Sequence, residues 1–369
     1  MPRKKLTTQP SSPGTSAGKA AASAYPATLV DVAKLAGVVA MTASRAINNS
    51  GYVSEDVRKR VLAAARKLRY RPNMLARRLA GQSLKAIGIL LPDIANPFSS
   101  ELVAGMSEVL DAAGFNAFVV TANHSVDQEK NRLQALIDHQ VDGILVATRG
   151  TQLGDESIAA VARQGIPIVT IGRPVECPWI DCVTADHFRG SYEAVSHLTG
   201  LGHKRIAFIG SAQKDAYALR RFQGYAAALA EARIPQRDEY IVGPQGGPAF
   251  ATQEDGYAGM MRLAKLKRPP TAIFARNDFA AIGALHAAHS LGLSVPDDVA
   301  VVGFDNIPLS AFSNPPLTTV SQPIAEQGRQ AAHFLLDRIE RGMSIARRSL
   351  CLECHLVIRQ STVPQPSTH

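Results

Sequence analysis

The chain has 369 residues, of which 46% are hydrophobic and 19% charged, with 40 Lys and Arg against 31 Asp and Glu and four cysteines. That is length and apolar content for more than one folded core, too little cysteine for a disulfide-stapled scaffold, and no apolar run approaches the ~20 residues that span a membrane. The formal excess of +9 sits at one end: residues 1–85 hold 16 Lys or Arg against Asp31, Glu55 and Asp56, whereas residues 86–369 hold 24 basic and 28 acidic residues. Such asymmetry suits phosphate binding, because each neutralised phosphate releases condensed counterions. Attachment to a membrane surface would instead want an amphipathic helix with large apolar residues.

Residues 1–26 are rich in Pro, Ser, Gly, Thr and Ala and poor in large apolar residues, which predicts a disordered tail. Arg3, Lys4 and Lys5 with the small-residue run AASAYPA mimic the ends of a signal peptide but enclose no apolar stretch, so a cytoplasmic, nucleoid-associated protein is expected. Between 27 and 72 the spacing predicts three short helices. The first, Leu29 to Ala36, places Val32, Ala33 and Ala36 on one face and is followed by Gly37, which suits a tight turn. The second, Ala40 to Ile47, has Ala43, Ala46 and Ile47 on one face and leaves Ala40, Met41, Ser44 and Arg45 outward. The third starts at Ser54 as N-cap with Glu55 and Asp56 in its first turn, and turns Val57, Val61, Ala64, Ala65 and Leu68 inward. Two helices joined by a Gly-containing turn form a helix-turn-helix whose second member enters the major groove of DNA. A bare three-helix scaffold has the same periodicity, and the local charge decides against it. In RPNMLARRLAGQS, Pro72 breaks the chain and Asn73 can cap a short helix, Met74 to Ala80, that needs DNA and a partner to order it.

The runs TLVDVAKLAGVVAMTASRAINN and YVSEDVRKRVLAAARKLRYRPNMLARRL resemble the headpiece of the lac repressor family (LacI/GalR) of bacterial transcription regulators. The resemblance assigns base reading to Ala40, Met41 and Arg45. Arg45 can pair bidentately with guanine, Ala40 and Met41 can offer only apolar contact, for example to a thymine methyl, and Thr42 and Ser44 suit phosphate. Residues 73–84 correspond to the family's hinge helix, with Asn73, Ala76 and Leu79 as minor-groove contacts and Leu79 as the wedge that kinks a base step at the centre of a pseudo-palindrome bound by a homodimer. One departure is Val39, which stands where the family usually has a Ser or Thr N-cap and cannot accept a hydrogen bond from the helix N-terminus.

From Ala86 onward short apolar runs recur with the rhythm of βαβ units: AIGILL (86–91), NAFVVTA (116–122), GILVA (143–147), PIVTI (167–171), RIAFIG (205–210), TAIFA (271–275) and VAVVGF (299–304). Their unbroken apolar character predicts α/β architecture, doubly wound parallel sheets covered on both faces, and the length suits two. Asp93, Arg173, Asn277, Asp278 and Asp305 follow the strands at the edge where open α/β sheets bind ligands, although Asp278 equally suits the start of a helix. The resemblance extends to about residue 360 and implies two subdomains like those of periplasmic sugar-binding proteins, at 85–184 with 319–348 and at 185–318 with 349–361, followed by a tail at 362–369. It assigns effector contacts to Pro97, Phe98, Arg173, Arg221, Asn277 and Asp305. Gly172 and Phe250 depart from the family pattern, and a sugar or sugar acid is favoured over a nucleobase as effector.

Other signals are weaker. Cys351, Cys354 and His355 in CLECH match a haem attachment motif, but within an alternating strand-like run the two cysteines read as free thiols. Cys177 and Cys182 supply no zinc spacing, no catalytic constellation emerges, and Asp186 with His187 reads as a helix start. No cofactor, metal, membrane or enzymatic activity is expected. The sequence reads as a dimeric repressor controlled by a small molecule, with a solute-binding protein of a transport system as the alternative.

Overall fold

The structure is a computed structural model that describes residues 27–70, 83–123, 125–148, 152–210, 216–243 and 252–363. The chain divides into two compact units between Gln82 and Ser83.

The first unit contains α1 (Leu29–Ala36), α2 (Ala40–Asn48) and α3 (Glu55–Lys67). Thr28 and Asp31 start α1 with a reciprocal capping box, in which Thr28 Oγ1 accepts from the Asp31 amide and the Asp31 carboxylate accepts from the Thr28 amide at 2.9 Å. Those Thr28 contacts hold the Asp31 carboxyl below its ordinary value. Gly37 ends the helix in the left-handed region at φ 67°, and the Val38 amide returns to the Ala33 carbonyl at 3.0 Å. The core is built from Val32, Ala33, Ala36, Ala43, Ala46, Val61 and Ala64. With nothing larger than Val fully buried, the helices approach closely and the unit has little apolar area to stabilise it. Ser54 sits at the N-cap of α3 but its side chain makes no capping bond; Glu55 and Asp56 complement the positive end of the helix dipole and face Lys59 and Arg60 at 3.9 and 3.4 Å.

The second unit contains two six-stranded sheets. The first comprises β1 (Ala86–Leu91), β2 (Asn116–Thr121), β3 (Gly143–Val146), β4 (Ile168–Ile171), β5 (Ile180–Ala185) and, from late in the chain, β11 (Ser349–Leu352), in the order β11-β5-β4-β3-β1-β2. The second comprises β6 (Ile206–Ile209), β7 (Ile241–Val242), β8 (Ala272–Ala275), β9 (Ala300–Asp305), β10 (Thr318–Ser321) and β12 (His355–Val357), in the order β12-β10-β9-β8-β6-β7. Every pairing is parallel except β10 with β12. Each sheet is covered by a hydrophobic cluster on either face, which is why β1, β3, β4, β6, β8 and β9 are buried along their whole length. The helices are α4 (Pro97–Ala112), α5 (Val126–Asp138), α6 (Gln152–Arg163), α7 (His187–Gly200), α8 (Ala216–Glu231), α9 (Gln253–Leu263), α10 (Asp278–Ser290) and α11 (Ile324–Arg341). Helix α11 returns to pack against α4, and Gly105 permits the contact: a Cβ there would lie 2.0 Å from the Ala325 carbonyl oxygen.

The chain passes between the sheets three times, at Asp186, at Gln322–Pro323 and at Glu353–Cys354. The second and third passages fall later than the sequence partition at 318 and 348. Thr318–Ser321 pairs with β9 in the second sheet and Ser349–Leu352 pairs with β5 in the first, so residues 319–321 and the whole of 349–352 belong to the opposite subdomain from the one expected. Backbone pairing decides membership here. In the first subdomain the fully buried Asp181 at the start of β5 ties together β5, α11 and β11, the three segments that lead to those passages, at their ends remote from them. Its carboxylate accepts from Arg338 of α11 at 2.6 and 2.8 Å and from Arg348, just ahead of β11, at 2.7 and 3.1 Å.

Candidate nucleic-acid interface and ligand site

Helix α2 begins at Val39, whose backbone is extended (φ −77°, ψ 153°) and whose side chain makes no capping bond. Ala40, Met41 and Arg45 are exposed, Met41 at 66%. Thr42 and Ser44 are half-buried at the flanks, and Ser44 Oγ accepts from Asn48 Nδ2 at 3.3 Å. After the helix, Asn49 (φ 53°) and Gly51 (φ 65°) turn the chain back through left-handed conformations. That turn runs along the stem of Arg45, so closely that a Cβ on Gly51 would lie 3.6 Å from Arg45 Cδ, and Asn49 accepts a hydrogen bond from Arg58. The arrangement presents Met41 and Arg45, one helical turn apart, on a single outward face. Tyr52, which follows the turn, is 93% exposed and was not singled out by sequence reasoning; an aromatic residue within a polar turn between two basic helices is the signal that marks it. The hinge positions Asn73, Ala76 and Leu79 lie outside the described residues.

In the second unit the candidate ligand residues gather at the carboxyl ends of the strands. After β1, Asp93 accepts from the Asn96 amide at 2.9 Å, and Asn96 caps α4 by accepting from the Phe98 amide at 3.0 Å. Pro97 takes the first helical position and Phe98 packs half-buried on the first core. Arg173, which follows β4, is buried and turned into its own subdomain. It donates to the Thr148 carbonyl at 3.1 Å and to the Thr148 hydroxyl at 3.2 Å, lies 3.6 Å from Glu129 and forms an ion pair with Asp155. Its planar fork is matched by protein groups, and the other expected contacts lie elsewhere.

Arg221, Asn277 and Asp305 lie together at the second sheet, whereas Pro97 and Phe98 stay with the first. Arg221 of α8 lies flat over the Phe304 ring, 3.7 Å from its centroid, and donates to Asp305 Oδ1 at 3.0 Å, to the Arg276 carbonyl at 2.5 Å and to His187 Nδ1 at 3.4 Å. Asp305 ends β9 with φ 118°, a backbone region that a residue bearing a Cβ rarely occupies, and also accepts from Gln322 Nε2 at 2.7 Å. Asn277 caps α10 by accepting from the Ala280 amide at 2.9 Å. Beside it Asp278 is fully buried and accepts from the Ile307 amide at 2.8 Å and from the Thr319 hydroxyl.

The electrostatics follow from burial. Desolvation, then the neighbouring Asp305 charge, pushes the Asp278 carboxyl up to about 7. Desolvation also raises Asp305, against the pull of Arg221. His187 is driven well below its ordinary value by burial and by Arg221, Arg220 and Arg276, so it is the neutral imidazole that accepts from Arg221. Glu101 of α4 is raised by burial and by Asp305 while it accepts from the Ala325 amide. Sequence reasoning missed Gln322 and Glu101 as neighbours of the site. It read Asp186 and His187 as a helix start, and Asp186 does cap α7 by accepting from the Arg189 amide at 3.0 Å.

The CLECH motif straddles the third passage: Cys351 lies in the first sheet, His355 in the second, and Cys354 is buried between them with its thiol pushed up to about 12 by desolvation. Among the described residues no group of three or more His, Cys, Asp or Glu side chains is arranged to hold a metal ion, and no helix is long and apolar enough to cross a membrane.

Residues 28–73 match the family of bacterial regulatory proteins of the lacI type, and residues 195–362 match a periplasmic binding protein-like domain. The chain is 36% identical to the transcriptional regulator DegA of Bacillus subtilis (strain 168) over 341 residues, covering 91% of this chain and 98% of that protein. Among solved structures, a complex of the transcriptional regulator CelR with cellobiose is 30% identical with a TM-score of 0.68, covering 91% of this chain and 99% of that one. The Lac repressor bound to ONPG in its repressed state is 29% identical with a TM-score of 0.80, covering 92% and 100%. The basic three-helix unit, the paired doubly wound sheets and the similarity along nearly the whole length lead to one conclusion: the chain belongs to the LacI/GalR family of bacterial helix-turn-helix transcriptional regulators.

Proposed function

We propose that this regulator is a cytoplasmic, nucleoid-associated repressor that binds a pseudo-palindromic operator as a homodimer and is controlled by a sugar or sugar acid held against Arg221, Asn277 and Asp305, with Pro97 and Phe98 as the apolar wall. The supporting observation is the pair Arg221 and Asp305, each less than a tenth exposed and 3.0 Å apart at the carboxyl edge of the second sheet. A guanidinium fork beside carboxylate and amide groups suits vicinal hydroxyls or a carboxylate, and the cellobiose of the CelR complex is of that chemistry. Arg173 acts by shaping the edge of the first subdomain. On DNA, Arg45 reads guanine, Ala40 and Met41 make apolar contacts, Thr42 and Ser44 set register on phosphate, and Asn73, Ala76 and Leu79 engage the central minor groove. Effector binding changes the angle between the subdomains and so the population competent for the operator, by as much as its differential affinity for the two forms and no more.

The test couples selection and ligand binding. Purified protein is offered a random duplex library at two salt concentrations and then melted in the presence of cellobiose, ribose and gluconate. A recovered palindrome, a ligand-induced rise in melting temperature, and an Arg221→Ala protein that keeps the palindrome but loses the rise are expected. A ligand shift that survives Arg221→Ala would reject the effector site, and the absence of an enriched duplex would reject the operator reading.

A further inference from the structure

We propose that Val39 is a sequence-reading residue and that each operator half-site presents thymine methyl groups to the leading end of α2, within about three base pairs of the guanine contacted by Arg45. The inference rests on the reading of α2 as the helix that enters the major groove. At this end of the helix Val39 is 70% exposed and Met41 66% exposed, with Ala40 exposed between them. None of the three carries a side-chain donor, and the one acceptor among them is the weak thioether sulfur of Met41. In the major groove the one apolar feature of a base edge is the thymine C5 methyl, so an apolar reading end selects for it.

The N-cap position sharpens the argument. Ser, Thr, Asp and Asn favour it because they satisfy an orphan amide of the first turn, and elsewhere in this chain Thr28, Asn96, Ser125, Asp186, Thr252 and Asn277 do so. Val39 forgoes that bond and leaves its branched side chain in solvent, in a unit whose own core is short of apolar area. The occupant that covers it is duplex DNA, on grounds of charge. α2 itself carries no acidic residue, and the three acidic residues of this unit are engaged elsewhere, Asp31 in the Thr28 capping box and Glu55 and Asp56 opposite Lys59 and Arg60, so nothing on α2 repels phosphate. The spacing follows from helix geometry: four residues from Met41 to Arg45 rise about 6 Å and six from Val39 about 9 Å, roughly two to three steps of a duplex at ~3.4 Å each.

The experiment uses the full chain and the duplex recovered by selection. Each thymine of a half-site is replaced in turn by deoxyuridine, which deletes the methyl and leaves the base pair intact, and the dissociation constant is measured for the natural protein and for Val39→Ser. Loss of each contacted methyl is expected to weaken binding by the natural protein about fourfold. The Val39→Ser protein, which regains a capping side chain and so folds, is expected to lose that sensitivity at one thymine while keeping its preference for the guanine. Equal binding of thymine and deoxyuridine duplexes, half-sites with no thymine near the guanine, or undiminished methyl sensitivity in Val39→Ser would each overturn the inference. A selection that enriches no palindrome would overturn the reading of α2 on which it rests.

Discussion

Asp278 shows how a single carboxyl can be both a structural group and a pH sensor. It accepts from Ile307 and Thr319 in full burial, and its folded value of about 7 lies above the ordinary 3.8. A raised carboxyl means that the folded state holds the proton more tightly than the unfolded one. Its contribution is therefore greatest below pH about 4, declines as pH rises towards 7, and is constant above that. Thermal melts of the natural protein and of Asp278→Asn across this range should differ in slope, with the variant flatter; parallel curves would mean that the proton is not held there. Arg221 is the complementary case. Removing it as Arg221→Ala leaves Asp305 buried without its guanidinium, with an expected loss of about 3–5 kcal/mol in urea denaturation, eased to the extent that Asp305 takes up a proton. On DNA, Arg45→Ala should reduce the preference for the selected operator over random duplex by about 1–3 kcal/mol while non-specific binding changes far less, which competition assays at fixed salt can read.

At the level of elements, α2 is held by its neighbours rather than by its own first turn. Val39→Thr supplies the missing acceptor while keeping one methyl, and is expected to stabilise the first unit by about 1 kcal/mol, measurable as slower amide exchange in α2. In the second unit, Gly105→Ala drives a Cβ into the Ala325 carbonyl, so α4 and α11 must separate, with an expected cost of about 1–3 kcal/mol or more on thermal unfolding. These elements also mark what the sequence could tell. Helices α1 to α3 were legible because their small apolar residues keep helical spacing, and β1, β3, β6, β8 and β9 because strands buried on both faces are unbroken apolar runs. The destinations of Thr318–Ser321 and Ser349–Leu352 were not legible, since a short strand of mixed polarity does not announce which sheet will pair with it. Nor was the inward turn of Arg173, because Thr148, Glu129 and Asp155 reach it from separate elements whose convergence only the fold creates.

For the molecule as a whole, the charge ledger separates the roles of the two units, a basic reader and a slightly acidic sensor, and among the described residues the chain links the sensor's two sheets through three short passages. Asp181 ties together the first-subdomain segments that lead into them, β5, α11 and β11, at the ends remote from the passages. Burial pushes its carboxyl up, and hydrogen bonds from Arg338 and Arg348 more than offset this and leave it below the ordinary value. Since Arg338 is itself fully buried, breaking the cluster strands positive charge in the core. Three cords fixed to one block at set spacings leave the other block almost a single way to turn. A ligand of a dozen atoms therefore need not push the subdomains in any particular direction: whatever it stabilises is expressed as one angle, and that is the economy that lets a small molecule speak to a duplex far larger than itself.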